Sequence, residues 1–200
     1  MKKDYTHVYQ FKISLKGTTP RIWRSIQVPE TYTFWDLSIA IQCAMDWKGH
    51  HLHEFRILNP QTGAMEDIGF PDDEYGRHVQ AGWEIPIAPY FTTENYMTDF
   101  LYDFGDYWEH ECMLEAILPR VYGVTYPCCI AGERKPPPDD VGSICGFEEF
   151  VEAMNNPDHE EHDEWAVWYG EDSFDTREFR CADVTFLNPH VLLRGILRDS

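Results

Sequence analysis

The chain of 200 residues carries 16 Lys and Arg against 35 Asp and Glu, which gives a formal net charge of -19 at pH 7. Because nucleic acids are bound through their phosphates by basic side chains, this balance argues against direct binding of DNA or RNA. A content of 43% hydrophobic and 15% aromatic residues excludes a disordered chain, and no apolar run approaches the roughly 18 residues of a membrane-spanning helix. The opening MKKDYTHVYQ has no apolar stretch, so we also expect no signal peptide.

The chain begins with a predicted β-hairpin. Apolar residues alternate with polar ones in VYQFKISL, residues 8–15, and again in RIWRSIQV, residues 21–28. The turn signal KGTTP separates these two segments. Two half-buried strands joined by a short turn are therefore expected.

A helix and a third strand follow. In TFWDLSIAIQCAMDW, residues 33–47, the apolar residues have helical spacing, Thr33 is a suitable N-cap, and Asp36 is placed to complete a capping box. We expect the helix to end at KGHH, with Gly49 near the C′ position. HLHEFRIL, residues 51–58, alternates as a strand. The order hairpin, helix, strand is β-grasp-like.

The middle of the chain contains one irregular and one regular part. Residues 59–100 are rich in turn residues and predict a long loop or insertion, in which Pro86 and Pro89 argue against a central strand. DFGD, residues 103–106, reads as a turn. From residue 107 to residue 118 the alternation returns and predicts a strand.

The last part of the chain predicts a loop followed by helices. YPCCIAGERKPPPDDVGSICGFEEF, residues 126–150, contains three consecutive prolines that force an extended segment, which either packs across the domain or presents a binding edge. GFEEFVEAMNN, DHEEHDEWAVWYG and the terminal segment around Pro189 predict helices. We therefore expect a single α+β domain over residues 1–200. Its sheet should be antiparallel or mixed, with a β-grasp-like start and helices in the C-terminal third.

Three histidines are candidate metal ligands. His51 and His53 lie two positions apart on one face of a predicted strand, about 7 Å along it, and His110 lies on the apolar face of another. If the strands are neighbours, the three imidazoles can bind a divalent metal such as zinc, with Asp103 or Asp106 as a further ligand or as a general base. The alternative is that these histidines are hydrogen-bonded core residues.

No complete catalytic motif accompanies these residues. DFG stands without the Gly-rich loop, the V-A-I-K and the H-R-D segments of a kinase, and neither a P-loop nor a G-x-S-x-G motif occurs. The six cysteines contain no C-x-x-C pair. We therefore expect reduced thiols in a cytoplasmic protein.

Five segments, in this order, resemble the plasmid pRiA4b ORF-3-like family. They are PRIWRSIQVPETYTFWDL, IQCAMDWKGHHLHEFRI, YDFGDYWEHECMLE, YPCCIAGERKPPPDDVGSICGFEEF and NPDHEEHDEW. The resemblance extends from Tyr9 to Leu193 and implies an α+β domain of the MM3350-like fold in a cytoplasmic prokaryotic protein. Relatives include passenger proteins of some bacterial insertion elements, and the resemblance implies no particular activity.

The resemblance also marks positions that recur in the family. From these we take Trp47, Tyr102, Trp108 and Asp140 as candidate binding residues. Many members carry a second cysteine where this chain has Pro136. That difference disfavours a cysteine-based metal site here and favours the histidines.

Two function classes remain open. The first is a non-catalytic protein-interaction or regulatory module with a protein partner, accessory to mobile elements in some relatives, because no catalytic constellation is complete and the chain is strongly acidic. The alternative is a metal-dependent hydrolase that uses His51, His53 and His110 as ligands and Asp103 or Asp106 as base. Neither function involves a membrane.

Overall fold

The computed structural model describes residues 4–49, 51–71 and 79–199, and it confirms the α+β class. The strands are β1 (His7–Leu15), β2 (Trp23–Pro29), β3 (His53–Leu58), β4 (Met65–Gly69), β5 (Gln80–Ala81), β6 (Met97–Tyr102), β7 (Trp108–Pro119) and β8 (Cys128–Glu133). The helices are α1 (Phe34–Ala44), α2 (Ser143–Met154), α3 (His162–Tyr169) and α4 (Pro189–Asp199), with a 3₁₀ turn at Cys181–Asp183. No helix in the described part of the chain combines the length and the apolar character that a bilayer crossing requires.

All eight strands form one mixed sheet in the order β5-β4-β3-β6-β7-β1-β2-β8. Only β4 and β5 are parallel, and every other neighbouring pair is antiparallel. The predicted hairpin is β1 and β2, and the helix and third strand follow it as expected. Strands β6 and β7 lie between β3 and β1 in the sheet. Thus β3 enters the sheet by pairing with strands that come later in the chain.

Helix α1 begins with the predicted capping box. The Thr33 hydroxyl accepts the backbone N–H of Asp36 at 3.2 Å, and the Asp36 carboxylate accepts the N–H of Thr33 at 2.9 Å. Every residue of α1 is buried. Helix α1 packs on the sheet. Helix α4 packs against the side of α1 that carries Trp35 and Ile39.

The helix ends earlier than the sequence predicts. Asp46 adopts a left-handed conformation, with φ of 58°, and its N–H donates to the Cys43 carbonyl, while the N–H of Trp47 donates to the Gln42 carbonyl. These two bonds form a Schellman motif in which Asp46 takes the position expected of Gly49. Gly49, with φ of 77°, lies in the loop beyond, and the neighbouring position 50 falls outside the described residues.

The prediction of a long loop over residues 59–100 is wrong in three places. Strand β4 pairs with one edge of β3, β6 pairs with the other edge, and β5 pairs with β4. These strands are two to six residues long, so their alternation is weak in the sequence, and their pairing partners determine the structure. The expectation that the two prolines prevent a central strand is met, and residues 72–78 of the turn-rich segment lie outside the described residues.

The predicted loop over residues 126–150 is also partly a strand. Residues 128–133 form the edge strand β8, which pairs with β2, and only residues 134–142 remain a loop before α2. We call these residues the proline loop. The strand prediction for residues 107–118 is confirmed by β7, whose inward side chains Trp108, His110 and Cys112 are fully buried.

Candidate functional site

Three loops meet at one end of the sheet, and hydrogen bonds hold them together. They are the α1–β3 loop (45–49 and 51–52), the β6–β7 turn (103–107) and the proline loop. The Lys48 N–H donates to Asp139 Oδ2 at 3.2 Å, and the Gly142 N–H donates to Asp106 Oδ2 at 3.0 Å. The N–H of Asp103 donates to the Leu52 carbonyl at 2.9 Å. Each loop is therefore bonded to at least one of the others.

A stack of buried aromatic rings contacts these loops from the core of the protein. The Trp47 ring stacks on Tyr102, with ring centroids 4.8 Å apart and planes 13° apart, and on Trp108 at 6.0 Å. The indole N–H of Trp47 donates to the Pro137 carbonyl at 3.0 Å, and the Tyr102 hydroxyl donates to Asp139 Oδ1 at 3.3 Å. All three rings are buried. In this structure two of the candidate binding residues, Trp47 and Tyr102, hold the proline loop in place, and Trp108 packs against Trp47.

His51, Asp103 and Asp140 form a cluster where the loops meet. One potential ligand atom from each residue lies within 4.8 Å of those of the other two. His51 Nδ1 is 3.6 Å from Asp103 Oδ2, and His51 Nε2 is 3.1 Å from Asp140 Oδ1. The Nε2 atom is within ion-pair distance of Asp140 but is not aligned for a hydrogen bond to it. The cluster of His51, Asp103 and Asp140 is the one group of three potential metal ligands found in the described ranges 4–49, 51–71 and 79–199.

The cluster is open to solvent on one side. The exposed fraction of the side chain is 12% for Asp103, 27% for His51 and 69% for Asp140. The second oxygen of Asp103 accepts the N–H of Gly105 at 2.8 Å, which fixes that carboxylate. Asp140 therefore has freedom to rotate, whereas Asp103 and His51 are held.

The backbone around this cluster is unusual. All six non-glycine residues with positive φ in the described part of the chain lie in these three loops or directly after them. They are Asp46, Asp103, Tyr107, Arg134, Asp140 and Ser143. A left-handed conformation is unfavourable for residues with a Cβ, and such residues concentrate at sites where the surrounding structure imposes a particular side-chain position. Here they place the Asp103 and Asp140 carboxylates on either side of His51.

The structure does not bring the three predicted histidines together as one cluster. The His53 ring lies between Trp35 and Phe100, with centroid distances of 5.5 Å and 5.9 Å. The His110 ring packs edge-on against Trp47 at 5.3 Å, and its Nδ1 is 3.3 Å from the Phe100 carbonyl. Both imidazoles are buried, and burial lowers the pKa of each to about 4. Their surroundings are those of neutral core residues.

Of the two aspartates considered as a base, Asp103 is part of the cluster, and Asp106 lies in the same turn. The carboxylate of Asp106 accepts a backbone N–H of the proline loop, as described above. The sequence analysis grouped His51 with Asp103 but named Asp140 separately, as a binding residue. The signal available in the sequence was the pair of aspartates directly after three prolines, where a stiff segment ends in a turn.

The comparisons with known proteins agree with this fold. The family model described as "Plasmid pRiA4b ORF-3-like protein" matches residues 7–183. The chain is 35% identical over 172 residues to "Uncharacterized protein y4hQ" of Sinorhizobium fredii (strain NBRC 101917 / NGR234), with 84% of each chain covered. It is similar to the crystal structure of MM3350, a protein of unknown function from Methanosarcina mazei Go1, with a TM-score of 0.84, 45% identity, and coverage of 92% of this chain and 100% of that one. The predicted family resemblance and the MM3350-like fold are thereby confirmed.

Proposed function

For this chain, which belongs to the plasmid pRiA4b ORF-3-like family, we propose a divalent-metal site formed by His51, Asp103 and Asp140 that supports hydrolytic chemistry. The proposal rests on the distances between their potential ligand atoms, which all lie within 4.8 Å of one another. The cluster is partly exposed and lies where three loops meet at one end of the sheet. This version of the metal-dependent hydrolase keeps His51 and Asp103 from the sequence prediction. It replaces His53 and His110 with Asp140.

The donor set decides which ions suit the site. One imidazole nitrogen and two carboxylate oxygens are typical ligands of zinc, manganese and iron(II), and they are too hard for copper(I). Ligand atoms of a tetrahedral site with bonds of about 2.1 Å lie roughly 3.4 Å from one another. The distances of 3.6 Å and 3.1 Å involve different ring nitrogens of His51, Nδ1 towards Asp103 and Nε2 towards Asp140. A single ion would bind one of these nitrogens, so the exposed Asp140 side chain would have to rotate to bring its carboxylate to the same ion as Asp103.

Three protein ligands would leave coordination positions for water and substrate. A zinc ion held by these residues would lower the pKa of a coordinated water to about 7 and would polarise a carbonyl or phosphoryl oxygen. The exposed side of the cluster, next to Asp140, would give a substrate access to it. The protein contributes the ligand positions, through the hydrogen bonds that join the three loops, and the buried aromatic stack resists their displacement.

The first test is elemental analysis of tag-free protein purified without chelators, followed by calorimetric titration with zinc and manganese. Near-stoichiometric binding is expected, and Asp140→Asn should weaken it by at least about tenfold because one anionic ligand is lost. Asp158→Asn is the matched control, because Asp158 is exposed in the segment between α2 and α3. Equal affinity of the two variants, or no binding by the wild type, would refute the site.

Hydrolytic chemistry needs a separate test. The metal-loaded protein is screened against chromogenic phosphate and carboxylate esters, with Asp140→Asn and Asp158→Asn in parallel. Turnover that requires both the metal and Asp140 supports a hydrolase. Stoichiometric metal binding without turnover of any substrate would leave a metal-binding protein and reject the catalytic part of the proposal.

A second candidate function is the non-catalytic protein-interaction or regulatory module. The observation that favours it is on α3, where Val167 and Trp168 are 85% and 46% exposed. Adjacent exposed apolar side chains on a helix are typical of interaction surfaces, and the strongly acidic chain favours a partner with a basic rim. The setting proposed for either function is the cytoplasm, where unpaired thiols remain reduced.

This second candidate predicts that Val167→Asp abolishes capture of a partner from native lysate, because a charge is placed at the centre of the apolar surface. Glu164→Gln, on the same helix, is the control that should retain the partner. If Val167→Asp captures the same proteins in the same amounts, the α3 surface is not the interaction site.

A further inference from the structure

Arg24 is a fully buried cation near the start of β2. Its guanidinium donates hydrogen bonds to four backbone carbonyls, of Trp23, Ala44, Glu133 and Arg134, at 2.7–2.9 Å. Within the described ranges it forms no direct ion pair with a carboxylate, and Asp46 acts on it only through its electrostatic field. A buried positive charge without a directly paired anion is costly.

Two thiols lie next to this cation. Cys129 is on the edge strand β8, opposite Ile26, and Cys181 is the first residue of the 3₁₀ turn. The two side chains lie close enough to interact with each other, and each interacts electrostatically with the Arg24 guanidinium. Both residues are partly exposed, so a small oxidant can reach them.

The segment that carries Cys181 is held tightly against β8. The Phe179 ring covers the Arg24 guanidinium at 3.7 Å. A Cβ at Gly132 would lie 2.5 Å from a Phe179 carbon, so the absence of a side chain at Gly132 is what permits this approach. The position of Cys181 beside β8 therefore follows from the packing of Phe179 on Arg24 and against Gly132.

We propose that Cys129 and Cys181 form a reversible redox pair that closes to a disulfide when the protein meets a peroxide. Arg24 is the positioning residue of this pair, because its stack on Phe179 places the segment that carries Cys181 beside β8. This inference is independent of the metal site.

The chemistry assigns a different role to each sulfur. Burial, reinforced by the neighbouring Cys181, raises the pKa of Cys129 to about 12, although Arg24 acts in the opposite direction. Cys129 is therefore the poorer nucleophile of the pair, and we assign the attack on peroxide to Cys181. The Cys181 sulfur bonds to one peroxide oxygen, the O–O bond breaks, the released hydroxide leaves as water with the thiol proton, and Cys181 becomes a sulfenic acid. The Cys129 sulfur then attacks the sulfenic sulfur, its proton leaves with the departing hydroxide as water, and the S–S bond forms. Overall, two thiols and one peroxide give one disulfide and two waters.

The other cysteines lack this combination of features. Cys43 and Cys112 are buried, and burial raises the pKa of both thiols. Cys128 faces away from the pair and contacts Gln27. Cys145 is exposed and has no second thiol in contact with it in the described structure, so it serves as a built-in comparison.

The test is oxidation of the reduced protein with a stoichiometric amount of hydrogen peroxide near neutral pH. We expect the wild type to lose two of its six thiols per chain, and non-reducing peptide mapping to identify one disulfide between the peptides of Cys129 and Cys181. Dithiothreitol should restore both thiols. Oxidation of Cys145 ahead of this pair, or a disulfide that involves other cysteines, would overturn the proposal.

Two variants test the assigned roles. Cys129→Ser should stop at a sulfenic acid on Cys181, detectable with a dimedone probe, whereas Cys145→Ser should form the disulfide as the wild type does. Arg24→Lys retains the charge but not the planar stack on Phe179, and it should slow peroxide consumption several-fold while the folded spectrum is retained. A dimedone adduct on Cys145 but not on Cys181 in the Cys129→Ser protein would refute the assignment, and so would an unchanged rate in folded Arg24→Lys.

Discussion

The two buried histidines make the stability of this protein depend on pH in a predictable way. Burial is the main cause that lowers the pKa of His53 and of His110 from 6.5 to about 4. In the unfolded chain both imidazoles are exposed and take up a proton as the pH falls below 6.5. Between these pKa values the unfolded state binds more protons than the native state, so the free energy of unfolding decreases as the pH decreases. The full contribution is present above the unfolded pKa and is lost progressively towards pH 4.

The size of the effect follows from the linkage relation. Each proton bound only by the unfolded state lowers the free energy of unfolding by about 1.4 kcal/mol per pH unit. From about pH 7 to about pH 5 an unfolded imidazole becomes almost fully protonated while the buried one stays neutral, which amounts to about 2 kcal/mol for each histidine. The pair should therefore account for a loss of about 4 kcal/mol, a large share of the stability of an ordinary domain.

Urea unfolding at these two pH values measures the loss. His110→Gln removes one titrating group, so the difference in unfolding free energy between the two pH values should shrink by about 2 kcal/mol, whatever the substitution costs at neutral pH. His190→Gln is the matched control, because His190 is exposed on α4 and should leave the difference unchanged. If His110→Gln and the wild type lose the same free energy on acidification, His110 is not the buried neutral group described above.

Three further predictions concern packing and are read from urea midpoints. Thr33→Ala removes the capping-box acceptor and should cost about 1 kcal/mol, whereas Thr33→Ser should cost little; equal losses would argue against the cap. Trp47→Phe leaves a carbonyl of the proline loop without its donor and should cost about 1–3 kcal/mol, and a neutral result would show that water replaces the indole. Gly132→Ala forces a methyl group against Phe179 and should cost about 1–3 kcal/mol, while Gly195→Ala, in the open part of α4, should stabilise by up to about 1 kcal/mol. The same sign for both glycine substitutions would contradict the packing described at β8.

Much of the fold is readable from local pattern. The hairpin β1–β2, the start of α1, the strand β7 and the C-terminal helices each have a period or a cap strong enough to be recognised without neighbours. The strands that the sequence did not predict are short, and their strand character comes from pairing with neighbouring strands. They are β4, β5, β6 and the edge strand β8. Short strands obtain their stability from cross-strand contacts, which no local window of sequence contains.

The candidate site also depends partly on local sequence and partly on how the chain packs. Local sequence was enough to predict the α+β class, the family, a metal site with His51 and Asp103, and a binding role for Asp140. The packed chain shows that His53 and His110 are buried in the core and that Asp140 lies beside His51. The reason is that His51, Asp103 and Asp140 lie in loops far apart in the chain, and their meeting depends on strand order and on the buried rings that hold the proline loop. Burial and proximity are properties of the packed chain, whereas propensity and pattern belong to each segment alone.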